Sequence, residues 1–410
     1  MGCAKYNTMY AFSQLFLVSG SIPRIICLMT HKTYPRTTRL PGTTAHPFDM
    51  LIRLADLIES LPTPLFAILL FTLALVPTID EVWRAVGLWL CFLGDWLLLA
   101  LLPRAHKSFG PAKPSTLALA VLRVPFAMLP MPLAALAQVI GSALVVYAFW
   151  IEPHRVHLTQ QHLRSPKFKP DTPPLRVLHL SDLHIERLTA RERDVLNYVR
   201  ELHPDVILFS GDFLNLSHLK DPVAYEHARA FLRELRAPLG VYVVSGSPPV
   251  DKAEVLPQLL TGLEHIRWLR NERVTVWHHD QPVEIVGITC THNPHTDGAV
   301  LDDILHGDPD EFTILLYHTP DLAPVAATQG VDLQLSGHTH GGQIRLPFYG
   351  ALFTSSLYGK RFEGGRYQLD TLTLYVSRGI GLEGKGAPRA RFLCPPEIVL
   401  WEITAADPDL

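Results

Sequence analysis

"LRVLHLSDLH", residues 175–184, is an apolar run that leads straight into residues able to do chemistry. Leu175, Val177, Leu178 and Leu180 make the short continuous run of a buried strand, and Ser181, Asp182 and His184 stand where that strand stops. The pattern recurs down the chain. "DVILFSGD" (205–212) ends in Gly211-Asp212 and "FTILLYH" (312–318) in Tyr317-His318, while "VDLQLSGH" (331–338) opens the block "GHTHGG" (337–342). Between them, "TARERDVLNYVREL" (189–202) repeats Val195, Val199 and Leu202 on one helical face. Residues 222–236 and Lys252–Leu263 suit two more helices. Further strands are expected at 240–246, 283–289, 371–377 and 397–404. Alternating strands and helices followed by strand-rich sequence predict a layered α/β domain with a mixed sheet.

In an open α/β sheet, strand ends on one side face a shared crevice. That convergence gathers Asp182, His184, Asp212, His318, His338 and His340. Asp-x-His and His-x-His put two ligands on one side of an extended segment, because side chains alternate with period two. Carboxylates and imidazoles without a thiolate suit Mn, Fe or Zn. Six ligands exceed the need of one catalytic metal with an open position, so two divalent ions fit the count better. A lone Asp-x-His at a strand end is more often a turn; the ordered set carries the reading. The remaining histidines, among them His278, His279, His154, His157 and His162, read as surface or juxtamembrane residues.

The order "SDLH", "GD", "YH", "GHTHGGQ" resembles the calcineurin-like metallophosphoesterase superfamily. The stretches "GHTHGGQIRLPFYGALFTSSLYGKRF", "YVSRGIG" and "RFLCPPEI" resemble its branch of predicted phosphohydrolases whose catalytic domain often follows membrane segments. The resemblance spans residues 175–404 and implies a four-layer α/β/β/α sandwich. It also implies that Asp182, His184, Asp212 and His340 hold one metal, with Asp212 bridging, and that His318 and His338 join Asp212 at the second. One block departs from the family. Where members carry Gly-Asn-His-Asp or Gly-Asn-His-Glu, this chain reads Gly246-Ser247-Pro248-Pro249. The family Asn is a metal ligand, and its His stabilises the transition state or protonates the leaving group. Ser247 is a weaker ligand and Pro248 cannot donate a proton. His292 and His295, in "THNPHTDG", are candidate substitutes, and Arg345 could meet a phosphate or form an ion pair.

The 410 residues divide by composition. Residues 61–151 are nearly free of charge, with long apolar runs at 61–79, 85–102 and 124–151. A bilayer-crossing helix needs about 20 apolar residues, so membrane insertion is expected. Residues 116–130, apolar but for Arg123, either make a fourth span or lie in the interface, with "LPMP" as a turn. Asp95 within a span is expected to cap or pair inside the bundle, with a functional role as the alternative. The expected organisation is a tail at 1–60, three or four spans at 61–151, a linker at 152–174 and the phosphoesterase domain at 175–405. Residues 6–23, a weaker apolar run after Lys5, read as a signal peptide or part of that tail. Arg104, Lys107 and Lys113 after the second long run, and Arg155, Arg164, Lys167 and Lys169 after the last, favour a cytoplasmic catalytic domain if there are four spans. A net charge of −3 without a basic stripe gives no sign of nucleic-acid binding. Five scattered cysteines form no CxxC pair, and Cys290 and Cys394 read as two buried thiols.

The sequence thus predicts a multi-pass membrane enzyme. It would hydrolyse a phosphomonoester, phosphodiester or pyrophosphate, small or lipid-linked, with metal-activated water. The competing class is a degenerate domain that binds a phosphorylated ligand or protein partner at the membrane. No residue is singled out as general acid or base.

Overall fold

The computed structural model describes residues 47–78, 81–305 and 310–406. The run at 6–23 lies outside them. The described chain begins with α1 (Pro47–Ser60), so a helix occupies the end of the stretch expected to be a tail. Four apolar helices follow: α2 (Thr63–Leu75), α3 (Val82–Leu101), α4 (Ala112–Ala127) and α5 (Met131–Val146). Prolines set several boundaries. Pro62 and Pro64 start α2, Pro77 lies in its closing turn, and Pro130 caps α5 after the expected turn at "LPMP". Within the run 61–79, α2 thus has 13 residues, about 20 Å, and is too short to cross a ~30 Å hydrocarbon core unaided. Among the described residues, Val82–Leu101 and Met131–His154 are long and apolar enough to cross. A third crossing is added if α1 and α2, bent by 109°, count together.

Asp95 on α3 is paired, as expected. Its two oxygens accept from Arg123 Nε and an Arg123 terminal nitrogen at 2.8 Å each. The guanidinium also donates to the Gln138 carbonyl at 2.8 Å and Ser142 Oγ at 3.0 Å on α5. A buried pair broken at one partner costs about 3–5 kcal/mol. Asp95→Asn is thus expected to lower the thermal unfolding temperature of the detergent-solubilised protein by several degrees while leaving turnover per folded molecule unchanged. A variant of normal stability but no turnover would tie Asp95 to the chemistry instead.

Beyond the bundle the strands run β1 (His157–Ser165), β2 (Leu175–Leu180), β3 (Val206–Phe209), β4 (Val241–Val243) and β5 (Ile266–Trp268). They continue with β6 (Glu272–His278), β7 (Gln281–Gly287), β8 (Phe312–Leu316), β9 (Leu333–Ser336), β10 (Arg345–Leu346) and β11 (Gly350–Ala351). The last are β12 (Gly365–Leu369), β13 (Leu372–Val376) and β14 (Glu397–Ala405). The first six-stranded sheet has the order β1-β14-β2-β3-β4-β5 and the second β12-β13-β9-β8-β7-β6. β2 to β5 are mutually parallel, as are β7, β8, β9 and β13.

Period-two alternation sends each sheet's side chains into two different cores. Leu178, Leu180, Ile207 and Phe209 pack with Val195, Val199, Phe231 and Leu256 from the covering helices Ala190–Leu202, Pro222–Glu234 and Val255–Leu260. Leu175, Val177, Val206 and Leu208 face Ile285, Phe312, Ile314 and Leu333 across the space between sheets. The far face of the second sheet is covered by Leu301 and Leu305 of the helix Pro294–Leu305. Helix, sheet, sheet and helix are thus the four layers expected. One departure is β1, which lies within residues read as a linker and pairs in parallel with β14 along its whole length. Cys290 and Cys394 are separate buried thiols. His278, read as a surface residue, is buried, with Nε2 3.0 Å from the Pro173 carbonyl.

Candidate active site

The parallel arrangement brings the carboxyl ends of β2, β3, β8 and β9 to one end of the sandwich. Asp182 and His184 follow β2, Asp212 follows β3, His318 follows β8, and His338 and His340 follow β9. All six residues singled out in the sequence meet there, in two groups: Asp182, His184 and His340, and Asp212, His318 and His338. Within each group the candidate ligand atoms all lie within 4.8 Å of one another. Asp212 Oδ2 joins the groups, 3.5 Å from His184 Nε2 and 3.3 Å from His318 Nε2. His184 and His340 bring their Nε2 atoms to 3.0 Å, and His340 Nε2 is 3.6 Å from Asp182 Oδ1. Converging imidazole nitrogens and carboxylate oxygens form a donor set for divalent cations.

The backbone is bent to achieve this. Asp182, His184, Asp212, His338 and His340 all have φ between 39° and 70°, a region costly for residues with a side chain. Such strain persists where surroundings over-determine it, and they do here. Asp182 accepts from Ser181 Oγ at 2.6 Å and from the His338 amide at 3.1 Å, which locks the β2 and β9 ends together. A Cβ on Gly337 would overlap Ser181 Oγ and Asp182 Oδ2, and one on Gly246 would overlap Asp212. Glycine is required at both positions.

Charge is distributed unevenly. Burial opposes ionisation of Asp212, but attraction to and hydrogen bonding by His318 hold its carboxyl well below the usual range. Burial likewise opposes charge on His318, yet Asp212 lifts that imidazole to about 9. His318 Nδ1 donates to the Ser210 carbonyl at 2.8 Å, which fixes the ring. Burial pushes Asp182 up and His338 and His340 well down.

Ser247 stands inside the second group. Its hydroxyl lies 3.0 Å from His318 Nε2, 3.2 Å from His338 Nδ1 and 3.2 Å from Asp212 Oδ2. Asp251 is a site residue that sequence reasoning missed. It is buried and accepts from the amides of Asp212 (2.7 Å), Phe213 (3.2 Å) and Gly246 (2.8 Å), tying the β3 and β4 ends together. Burial, then the neighbouring Asp212, raises its pKa to about 7. The only signal was an acidic residue shortly after the Ser-Pro-Pro block. Of the other candidates, His292 has its ring centroid 4.9 Å from that of His338, whereas His295 is exposed. Arg345 pairs with Glu363 at 2.9 Å, the ion-pair alternative.

The calcineurin-like phosphoesterase family model matches residues 175–342. Over 279 residues, 64% of this chain and 90% of the relative, the sequence is 31% identical to the uncharacterized metallophosphoesterase YkuE of Bacillus subtilis. The chain belongs to the calcineurin-like metallophosphoesterase family. Other relatives in the family include the UDP-2,3-diacylglucosamine pyrophosphatase LpxG of Chlamydia trachomatis, 27% identical over 62% of this chain and 91% of its own. The phosphodiesterase YaeI of Escherichia coli is 27% identical over 63% of this chain and 92% of its own.

Proposed function

We propose that the chain is a membrane-anchored, binuclear metallophosphoesterase that hydrolyses a phosphoester or pyrophosphate bond of a lipid-linked substrate. The carrying observation is the position of Asp212 Oδ2, within 3.5 Å of an imidazole from each ligand group. In this reading Asp182, His184, His340 and Asp212 hold one divalent metal. Asp212, His318 and His338 hold the other, with Ser247 Oγ in the place of the family Asn. The metals would polarise the phosphoryl oxygens and activate water. The protein's own part is to hold Asp212 ionised, to fix the His318 ring through Ser210, and to brace the β3 and β4 ends through Asp251. Pro248 offers no proton to the leaving group, so catalysis is selective for groups that depart as anions. LpxG, named for cleaving a diacylated nucleotide sugar, supports a lipid-linked pyrophosphate as the substrate class.

The proposed domains are the helical region to residue 151 and a phosphoesterase domain to residue 405 that begins with β1. We place the catalytic domain on the cytoplasmic face, because Arg104 and Lys107 lie in the α3–α4 connection and Lys113 at the start of α4, the end of the bundle the domain touches. The test uses the full chain in detergent with Mn²⁺ and an activated aryl phosphodiester. The expected result is close to two Mn per chain, and turnover that a chelator removes and Mn²⁺ restores. A folded, metal-loaded protein without turnover overturns the enzyme reading and favours the binding domain.

A further inference from the structure

Beyond residue 152, the exposed large apolar side chains described are Val223, Trp277 and six that lie together: Leu346, Phe348, Tyr349, Leu352, Phe353 and Leu393. Five of the six belong to the β10–β11 hairpin and the residues just after it. Phe348 stands at the tip with φ 65°, fully exposed, and Phe353 is 71% exposed. A soluble surface seldom gathers so many exposed apolar groups without a partner.

The position of the hairpin identifies the partner. Ile344 bridges Phe392, and Arg345 donates its amide to the Phe392 carbonyl at 2.9 Å. The Phe392 ring meets Tyr147 edge-on at 5.9 Å, and the Arg391 amide donates to the Ala148 carbonyl at 2.9 Å. Residues 147–148 stand three or four residues before the apolar run of the last crossing helix ends at Ile151, about 5 Å inside it. Ile344 also packs on a cluster of Leu99, Leu102, Val145 and Phe149, at and just beyond the ends of α3 and α5. The hairpin is thus attached at the depth where the spans leave the hydrocarbon. At the same end, α1 exposes Met50, Leu54 and Leu57 at helical spacing, and Lys113 Nζ of α4 bonds the Glu59 carbonyl at its end. Lys360 Nζ sits 4.2 Å from the centre of the Tyr349 ring and pairs with Glu363 at 3.0 Å, so the hairpin offers the bilayer an apolar tip.

We propose that the hairpin over residues 345–353 is a membrane-interface wedge: its aromatic tip inserts among the lipids beside the bundle and holds the catalytic crevice against the bilayer. The crevice is close by. The hairpin starts five residues after His340, and Ser355 Oγ donates to the His338 carbonyl at 2.8 Å. The proposal rests on the membrane anchoring in the preceding section and not on turnover.

The test places the photocrosslinker p-benzoylphenylalanine at position 348, 97 or 277 of the full chain by amber suppression, in vesicles of phosphatidylcholine and phosphatidylglycerol carrying a labelled phospholipid. Leu97 is an exposed residue within α3, and Trp277 is exposed on a strand of the second sheet. Lipid adduct at 348 is expected within about twofold of that at 97 and at least about tenfold above that at 277. Adduct at 97 but only background or a protein crosslink at 348 overturns the wedge and leaves the anchoring intact. Background at both 97 and 348 overturns the anchoring, and the wedge with it.

Discussion

Asp212→Ala is expected to lower kcat/KM toward an activated aryl phosphodiester by about 10³-fold or more. Metal-ion stabilisation of a phosphoryl transition state is worth several kcal/mol, and each 1.36 kcal/mol is about tenfold in rate. Among the described residues, Asp212 is the carboxylate that reaches imidazoles of both groups, so its loss should weaken both proposed metal positions together. The fold should survive, because Asp251 braces the loop through the backbone amides of residues 212, 213 and 246, and these the substitution leaves in place. Bound Mn, thermal stability and steady-state kinetics are read on the same preparation. Two metals and full turnover in the variant would move the bridging role to another residue.

The second large effect concerns the leaving group. With Pro248 where the family has His, the rate on alkyl phosphodiesters should fall far below that on nitrophenyl ones. Loss of a general acid costs about 10²–10⁴-fold when the leaving group needs a proton. Pro248→His is expected to raise kcat/KM on an alkyl phosphodiester by about 10²-fold and to change the nitrophenyl rate little. Position 248 is only half-buried, so the imidazole has room. An equal gain on both substrates would point to altered metal occupancy. No gain on either would show that the acid comes from elsewhere, and His292, beside His338, would be the residue to replace next.

The site was legible because its chemistry sits at strand ends, where buried apolar runs stop abruptly. Asp182, Asp212, His318 and His338 each follow a strand that reads plainly as β, and parallel pairing does the rest. Asp251 was not legible, since it acts on backbone amides that only the folded loops bring together. β1 was hidden for another reason. As an edge strand with the sequence "HLTQQHLRS" it buries only Ser165 fully and carries the polar residues of a linker. The apolar runs were legible as composition, but their division into helices was not. Prolines cut them into helices of 13 and 16 residues beside longer ones, and the Asp95–Arg123 pair shows why a carboxylate and a guanidinium could sit in that bundle.

The absence of a true linker sets how this protein meets its substrate. The last helix long and apolar enough to cross a bilayer ends at His154, and β1 begins at His157 as the edge of the first sheet. The Arg389–Glu186 pair, which also receives the Phe109 amide, clamps the domain to the α3–α4 connection. A catalytic head on no leash cannot sweep the surrounding solution. With the lipid-linked substrate proposed above, its reaction becomes a two-dimensional one, with a rate set by the mole fraction of substrate in the lipid around it. Diluting that substrate with inert lipid should slow turnover as surely as diluting a soluble substrate with water.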